Sequence, residues 1–328
     1  MNDTTTIEPG AVGAVAIGRN EGARLIRCLE TLMQQTDRVI YVDSGSTDGS
    51  RNVARRLGAE VIELDMDHPF TAARARNAGV NAMRKPQNVL PEFIQFVDGD
   101  CELRDGWIGI GRAWLEAHSD VAVACGRRRE RHPENSLYNR LIDLEWDTPV
   151  GRARSCGGDA LMRTEAFQAV DGFDPRLIAG EEPELCVRLR AAGWTIWRLD
   201  AEMTWHDAGL TRLGQWWARA RRAGHAFAEG AALHGRPPER HNVTQVRRSL
   251  AWGVALPLAA LLGAALIHPA FLLVLLTWLL QVIRLAWRTG GWVQPLFLTL
   301  AKMPEAQGIT EYHLRRLLRR RRGLIEYK

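Results

Sequence analysis

Two carboxylates stand one residue apart at the end of an apolar run. Residues 93–97 are aromatic, β-branched or amide side chains, and Asp98-Gly99-Asp100 follows them. Such a run is typical of a buried central strand, and ligands of such sheets bind at the carboxyl ends of the strands. Two aspartates there repel each other unless a divalent cation or hydrogen-bond donors lie between them. Because Asp-Gly-Asp is also an ordinary turn composition, the pair alone leaves a cation site and a simple turn open.

Length and charge restrict the class of protein. A chain of 328 residues predicts one large domain with a smaller module. The net charge is +5, and residues 302–328, with eight basic and three acidic side chains, account for all of it. The balanced remainder argues against a nucleic-acid-binding surface. It favours a basic tail that meets anionic lipid or another acidic partner.

The five cysteines are widely spaced and form no Cys-x-x-Cys pair. They therefore indicate neither a disulfide framework nor a zinc site, and a reducing cytosol fits them best. Residues 1–10 lack the basic start and apolar stretch of a secretory signal. We expect the N-terminal part of the chain to stay inside the cell.

Strand and helix patterns alternate through the first hundred residues. Strands are predicted at 11–17, 38–42, 60–64 and 93–98, and helices at 25–33, 53–57 and 70–83. This alternation predicts parallel strands joined by right-handed crossovers, a doubly wound α/β sheet. The loops at the carboxyl ends of the strands then share one edge of that sheet.

Several motifs in these loops resemble those of the family 2 glycosyltransferases, which have the GT-A fold and transfer a sugar from a nucleotide-sugar. The resemblance covers about residues 11–230. It rests on the residues at 16–21 (AIGRNE), 42–49 (VDSGSTDG), 75–79 (ARNAG), 97–100 (VDGD), 157–160 (GGDA), 172–174 (GFD) and 180–190 (GEEPELCVRLR). Many members carry Glu-Asp where this chain has Glu181-Glu182, so the catalytic base is assigned by position.

The resemblance implies a divalent metal, Mn²⁺ or Mg²⁺. Asp100 is the expected metal ligand, and Asp98 is expected nearer the ribose or bridging to the metal. His206 resembles a histidine that completes the metal site in several GT-A enzymes, although a single histidine is more often structural. A nucleoside diphosphate gains negative charge as its bond to the sugar breaks, and a carboxylate-held cation takes up that charge.

The donor site is also implied by the resemblance. Asp43 is expected to contact the nucleobase, and Asn20 or Glu21 to line the nucleoside pocket. The full expected set of donor-binding residues is Asn20, Glu21, Asp43, Arg76, Asn77, Asp98 and Asp100. An Asx-turn or a helix cap is the alternative for Asp43, because Asp-Ser-Gly-Ser loops commonly form them.

Acceptor activation needs a carboxylate that the metal does not hold and that can accept a hydroxyl proton. Glu182, which precedes Pro183 at a predicted helix start, is the candidate base. Glu181 is the second candidate, and Glu184 is expected to orient a neighbour. Helix capping is the alternative, since acidic residues in a first turn favour the helix dipole.

The C-terminal third predicts a membrane hairpin. Residues 250–267 are eighteen consecutive uncharged positions, and a second apolar run begins at 270. Arginines flank the outer ends of both runs, as the positive-inside rule expects for cytosolic termini. A buried helical pair is the alternative, and the shorter second run also allows a re-entrant hairpin. We therefore predict a GT-A domain at 1–234, a linker at 235–248 and membrane helices near 250–267 and 270–288, followed by a basic amphipathic tail.

A helix over residues 215–222 combines tryptophan and arginine. Arg222 and Arg219 are predicted to contact the acceptor or its phosphate. Trp216 and Trp217 are better suited to anchor the helix at a bilayer interface.

Together these features predict a membrane-attached inverting glycosyltransferase, with its catalytic domain on the cytosolic face of the inner membrane. A nucleotide-sugar is the donor, and a lipid-linked or polysaccharide molecule is the acceptor. A non-catalytic nucleotide-sugar-binding or scaffold module of a surface-polysaccharide assembly is the alternative. A nucleotidyltransferase would need a glycine-rich loop after the first strand, and residues 18–22 are too poor in glycine for that.

Overall fold

The structure, a computed structural model, describes residues 11–84 and 89–318. The chain divides into two compact units, with the boundary between Thr211 and Arg212. The sequence placed this boundary at residue 234. The difference is one helix, residues 213–234, which folds with the C-terminal helices.

In the described part of the first unit, nine strands form one sheet. They are β1 (Val12–Gly18), β2 (Val39–Asp43), β3 (Glu60–Glu63), β4 (Phe93–Asp98), β5 (Cys101–Leu103), β6 (Val121–Glu130), β7 (Gly151–Ala153), β8 (Ala160–Arg163) and β9 (Thr195–His206). Their order is β3-β2-β1-β4-β8-β6-β9-β5, and β7 pairs with β9. The first four strands are parallel, which confirms the predicted α/β sheet, whereas β8 runs antiparallel to β4 and makes the whole sheet mixed.

Seven helices connect these strands within the described residues. They are α1 (Ala23–Met33), α2 (Ser50–Leu57), α3 (Ala72–Met83), α4 (Trp107–Ala117), α5 (Leu137–Trp146), α6 (Thr164–Ala169) and α7 (Glu181–Ala191). The side chains of β1, β2 and β4 are almost all buried, as expected for strands covered on both faces. A Cβ added to Gly79 of α3 would lie 2.4 Å from Val15 Cγ1, so this glycine lets α3 pack closely on β1.

The strand register places Asp43 and Asp98 on either side of the carboxyl end of β1. Gly18 at the end of β1 pairs with Asp43, and Ile17 pairs with Asp98. Cys101, directly after Asp100, pairs with His206, the last residue of β9. The carboxyl ends of β1, β2 and β4 therefore carry the loops that form the candidate site.

The second unit is helical. Its α-helices are α8 (Leu213–His234), α9 (Val243–Leu250), α10 (Leu256–Leu266), α11 (Leu276–Thr289), α12 (Val293–Leu300) and α13 (Lys302–Leu317). Two continuous helical stretches, Val243–Leu266 and Pro269–Thr289, are long and apolar enough to cross a membrane. The first begins inside the predicted linker, because helix α9 continues into the apolar run.

Glycines bring α8 and α13 into backbone contact. A Cβ at Gly224 would lie 2.0 Å from the carbonyl oxygen of Glu305, and one at Gly308 would lie 2.0 Å from that of Arg221. Helix α13 buries Ala306 and Ile309 here, so its first turns pack within the unit. The predicted surface-lying tail is described only to residue 318, where Leu314, Leu317 and Leu318 are exposed; its remainder, 319–328, lies outside the described residues.

Candidate active site

The loops after β1 and β2 are tied together by side chains. The backbone amide of Asn20 donates to Ser46 Oγ at 2.9 Å, and Asn20 Oδ1 accepts from the Thr47 amide at 2.7 Å. Asn20 has a φ of 57°, a left-handed conformation that asparagine tolerates well. Glu21 forms an ion pair with Arg24 at 2.7 Å. Asn20 and Glu21, both predicted to bind the donor, therefore lie just after the carboxyl end of β1.

Asp43 shapes the loop that follows it. Its side chain is 1% exposed and accepts hydrogen bonds from the amides of Gly45 and Ser46 at 3.1 and 2.9 Å. The Tyr41 hydroxyl also donates to it at 3.1 Å, and burial together with Asp43 raises the pKa of Tyr41, which keeps that donor protonated. The Asx-turn considered from the sequence is therefore present. A contact between Asp43 and a nucleobase remains a prediction.

Arg76 is the centre of a buried charged cluster. It lies on α3, is 2% exposed, and donates to Asp98 Oδ1 at 2.8 Å. Its Nη1 lies 3.0 Å from Glu181 Oε1 and 2.9 Å from Glu182 Oε1. Burial alone would lower the pKa of Arg76, but Glu182, Asp98 and Glu181 together raise it above its ordinary value. One permanent cation thus holds three carboxylates from β4 and α7.

Asn77, whose predicted contact with the donor remains a prediction, binds the backbone of Phe173. Its Nδ2 donates to the Phe173 carbonyl at 2.7 Å, and its Oδ1 accepts from the Phe173 amide at 3.1 Å. The ring of Phe173 lies 5.5 Å from the Arg76 guanidinium. Both ends of the Asn77 amide are therefore used to position the ring beside Arg76.

Glu182 stands where the candidate base was expected. Helix α7 begins at Glu181 after Gly180, whose φ of 79° suits glycine. Burial and the neighbouring Glu181 raise the pKa of Glu182 to about 7, although Arg76 opposes the rise. A carboxyl group with such a pKa can accept a proton near neutral pH. Glu184 instead forms a two-bond ion pair with Arg188, at 2.9 and 2.7 Å, as expected for an orienting residue.

Asp100 and His206 form a second group. Asp100 Oδ2 and His206 Nε2 are 3.4 Å apart, and both side chains are buried. His206 Nδ1 lies 3.9 Å from Glu130 Oε2, and its ring meets Trp146 edge-on at 4.6 Å. At 3.9 Å the Glu130 carboxylate is not hydrogen-bonded to the ring, and His206 Nδ1 is buried with no hydrogen-bond partner among the described residues.

The donor atoms of this group fit a hard cation. Cys101 Sγ lies within 4.8 Å of the Asp100 and His206 ligand atoms. Burial and Asp159 raise the pKa of Cys101 well above its usual range, so its sulfur stays a thiol and is a poor ligand. The carboxylate oxygen suits Mn²⁺ or Mg²⁺, and the imidazole nitrogen favours Mn²⁺ of the two. Asp98, the other predicted ligand, is turned toward Arg76 and groups with Asp159 instead.

Sequence reasoning missed two residues that support this edge of the sheet. Asp159 is fully buried and accepts from the Asp98 amide at 3.1 Å and from Thr204 Oγ1 at 2.8 Å. Arg128 donates to the same carboxylate at 2.9 Å, and its Nη2 lies 3.8 Å from Asp98 Oδ2. The Gly-Gly-Asp motif signalled Asp159. Nothing in the run of arginines at 127–129 distinguished Arg128.

Arg219 and Arg222 lie on α8 in the second unit, and both are half-buried. On the same helix, Trp216 is buried edge-on against Phe297 at 5.0 Å, and Trp217 donates to Gln307 at 2.9 Å. Trp216 thus packs inside the unit, which corrects its predicted role as an interfacial anchor. The acceptor contacts of Arg219 and Arg222 remain predictions.

Comparison with known proteins identifies similar sequences and a similar fold. Residues 15–170 match the sequence profile described as Glycosyl transferase family 2. The succinoglycan biosynthesis protein ExoA of Rhizobium meliloti is 31% identical over 173 residues, which are 50% of this chain and 52% of that protein. The pre-mycofactocin glycosyltransferase of Mycobacterium tuberculosis is 28% identical over 236 residues, 66% of this chain and 46% of that protein.

Among solved structures, the mannosyltransferase PcManGT of Pyrobaculum calidifontis in complex with GDP-Man and Mn²⁺ superposes with a TM-score of 0.65. The match covers 93% of this chain and 88% of that one at 18% identity, so it concerns the fold. The fold and the acidic strand ends define a GT-A domain. The chain matches the profile of glycosyl transferase family 2 over residues 15–170, and this agrees with the family that the motifs indicated. It spans about half the length of the two relatives named above.

Proposed function

We propose that this protein is an inverting glycosyltransferase that moves a sugar from a nucleotide-sugar to a lipid-linked or polysaccharide acceptor. The observation that carries this proposal is the separation of two acidic groups at one edge of the sheet. Asp100 lies with His206, while Glu182 lies in the Arg76 cluster. A single displacement needs both a site for the leaving diphosphate and an independent base, and these groups supply them.

Glu182 is the base in this proposal. Its side chain is 14% exposed, against 5% for Glu181, so it is the more accessible of the two carboxylates. It would accept the proton of the acceptor hydroxyl as that oxygen attacks the anomeric carbon. Arg76 keeps the carboxylate oriented through the 2.9 Å ion pair. Glu181, which is bound by the same arginine, remains the second candidate.

Asp100 and His206 would hold the metal, and Mn²⁺ or Mg²⁺ bound there would stabilise the negative charge that develops on the leaving diphosphate. The structure of PcManGT, which has a similar fold, contains GDP-Man and Mn²⁺, and this supports a nucleotide-sugar donor and a divalent metal. ExoA is named for succinoglycan biosynthesis, which supports a polysaccharide acceptor. The apolar helices that follow the catalytic unit in the chain support a lipid-linked one.

A panel of nucleotide-sugars tests the function. The purified protein, titrated with each one in the presence and absence of Mn²⁺, should bind at least one of them in a metal-dependent way and hydrolyse or transfer its sugar. Binding without any turnover on lipid or glycan acceptors would favour the non-catalytic module. Binding independent of metal would count against the Asp100–His206 site.

Gly158 leaves space at the centre of the cluster. A Cβ there would lie 2.7 Å from both Arg76 Nη2 and Asp98 Oδ2, and 3.2 Å from Glu182 Oε1. At neighbouring Gly157 the nearest atom would be Arg128 Cζ at 3.9 Å, an ordinary contact. The two glycines therefore form a matched pair for substitution.

We expect Gly158→Ala to lower turnover by about 10²-fold, because displacing Glu182 or Asp98 by an ångström misaligns the reacting groups. Gly157→Ala should stay within about twofold of the parent protein, as usual for a surface change that touches nothing critical. Steady-state kinetics of both variants, with circular dichroism to compare folding, make the measurement. Equal losses in the two variants would show that the space at Gly158 has no special role.

Membrane attachment at the cytosolic face is part of the proposal. The two apolar helical stretches expose many large side chains, among them Leu266, Leu273 and Trp287. Arg247 and Arg248 lie near the start of the first stretch, and Arg288 lies at the end of the second. A hairpin with both ends in the cytosol satisfies the positive-inside rule at both ends.

The protein should fractionate with membranes, with its N-terminal domain and its C-terminus on the same side. In sealed inverted vesicles, protease should digest a C-terminal tag together with the catalytic domain. Vesicles opened with detergent provide the control for tag accessibility. A tag that is shielded while the catalytic domain is digested would exclude the hairpin, because that result requires an odd number of membrane crossings.

A further inference from the structure

Two thiols lie close together, one in the loop at 155–158 and the other on helix α7, which also carries Glu182. Cys156 Sγ and Cys186 Sγ are 3.7 Å apart, and both side chains are buried. Cys156 directly precedes the Gly157-Gly158 pair, while Cys186 lies on α7 one turn after Glu182. The two sulfurs thus connect the loop that borders the charged cluster with the helix that carries the candidate base.

Cys186 differs from the other described cysteines, because its pKa is lowered whereas theirs, including that of Cys156, are raised. The hydrogen bond from Cys156 lowers the pKa of Cys186, which makes Cys186 the sulfur that ionises first. Burial raises the pKa of Cys125 to about 12, and burial with nearby carboxylates raises the pKa of Cys28 and Cys101 well above the usual range. A thiolate beside a second thiol is the arrangement that oxidants convert into a disulfide.

We propose that Cys156 and Cys186 are a reversible modification site, oxidised by peroxide to a disulfide that slows sugar transfer. The Cys186 thiolate attacks one peroxide oxygen and breaks the O–O bond, which gives a sulfenic acid and, after protonation of the leaving hydroxide, one water. Cys156 then attacks the sulfenic sulfur, loses its proton and releases the second water. Both sulfurs are oxidised by one electron each, and the two electrons reduce one peroxide to two waters.

The slowing of transfer follows from geometry and rests on the proposed function. A disulfide bond is about 2.05 Å long, so the sulfurs, now 3.7 Å apart, must approach each other substantially. In this proposal the closing of that gap draws the loop at 155–158 toward helix α7 and displaces Gly158 and Glu182. A misplacement of about 1 Å costs about 10²-fold in rate. In a reducing cytosol such a bond is transient, which suits a sensor.

Peptide mapping tests the site independently of activity. The full-length protein in detergent is treated with hydrogen peroxide, alkylated and digested with trypsin. Peptides 155–163 and 177–188 should then appear linked, and dithiothreitol should separate them. Cys125→Ser should preserve the link, whereas Cys186→Ser and Cys156→Ser should each abolish it. Sulfinic or sulfonic acids without a linked peptide, or a link to Cys125, would overturn the proposal.

Turnover measurements test the consequence. Oxidised parent protein should lose transfer activity by at least about tenfold and recover it with dithiothreitol, because the misplacement argument allows losses up to about 10²-fold. The Cys156→Ser variant should keep its transfer activity, and peroxide should not slow it, because no disulfide can form between residues 156 and 186. Linked peptides with unchanged turnover would refute the regulatory effect. No turnover in the reduced parent would refute the proposed function together with its regulation, while the linked peptides still decide the modification site.

Discussion

Asp100→Ala should abolish Mn²⁺-dependent donor binding and turnover while leaving the protein folded. The variant removes the carboxylate that lies 3.4 Å from His206 Nε2, which leaves the imidazole as the remaining ligand of the proposed pair. Titration of Mn²⁺ by calorimetry, without donor, should show affinity weakened by more than the 10–100-fold that loss of an outer-shell partner usually costs. The thermal midpoint should move by only about 3 °C, because no apolar contact is lost.

Asp105→Ala is the matched control. Asp105 lies just after β5, the short strand that Asp100 precedes, and carries the same charge, but it is exposed and lies outside the Asp100–His206 group. The Asp105→Ala variant should bind Mn²⁺ as the parent protein does. A general effect of lost charge on binding would instead weaken binding in both variants. Near-normal transfer by Asp100→Ala at limiting Mn²⁺ would mean that Asp100 is not a ligand.

The position of the acids was predictable because it follows from local sequence and one general rule. Strands predicted from periodicity place Asp43 and Asp98 at the carboxyl ends of β2 and β4, and parallel pairing with β1 then brings both to one edge. The start of α7 at Glu181 was equally visible, since a glycine precedes it and Pro183 follows in the first turn.

The partners of those acids were not predictable, because they depend on contacts between distant segments. Arg76 and Glu181 are 105 residues apart, and Asp159 reaches the Asp98 amide across 61 residues. Asn77 follows Arg76 directly in the same motif, yet its amide binds Phe173. A motif therefore identified the neighbourhood of the site, whereas the packing of α3 against the loop at 172–173 decided which side chain reaches the carboxylates.

The extent of the strands in the second half of the sheet was also not predictable from hydrophobic periodicity. β6 and β9 pair in parallel through three register shifts, and each shift interrupts the alternation that identifies a strand. β9 nevertheless extends from Thr195 to His206. This extension brings His206 beside Cys101 and so next to Asp100.

Glu182→Gln should retain donor affinity but lose turnover by about 10²- to 10⁴-fold, the usual range for loss of a general base. The amide has nearly the same shape, and Arg76 keeps Asp98 and Glu181 as partners, so the cluster should stay intact. The pH profile gives a second measurement. Glu182 must be ionised to accept a proton and its pKa is raised to about 7, so kcat/KM of the parent should rise with pH through about 7 and then level off. That rise should be absent in the variant.

Glu184→Gln is the control that separates catalysis from helix capping. Glu184 lies in the same first turn of α7, is buried, and loses the same charge, but it binds Arg188 outside the Arg76 cluster. If the acids of this turn mainly stabilise the helix dipole, both substitutions should lower the thermal midpoint alike and affect turnover alike. If Glu182 is the base, turnover should fall only in Glu182→Gln. An equal loss in Glu181→Gln, with Glu182→Gln unaffected, would assign the base to Glu181.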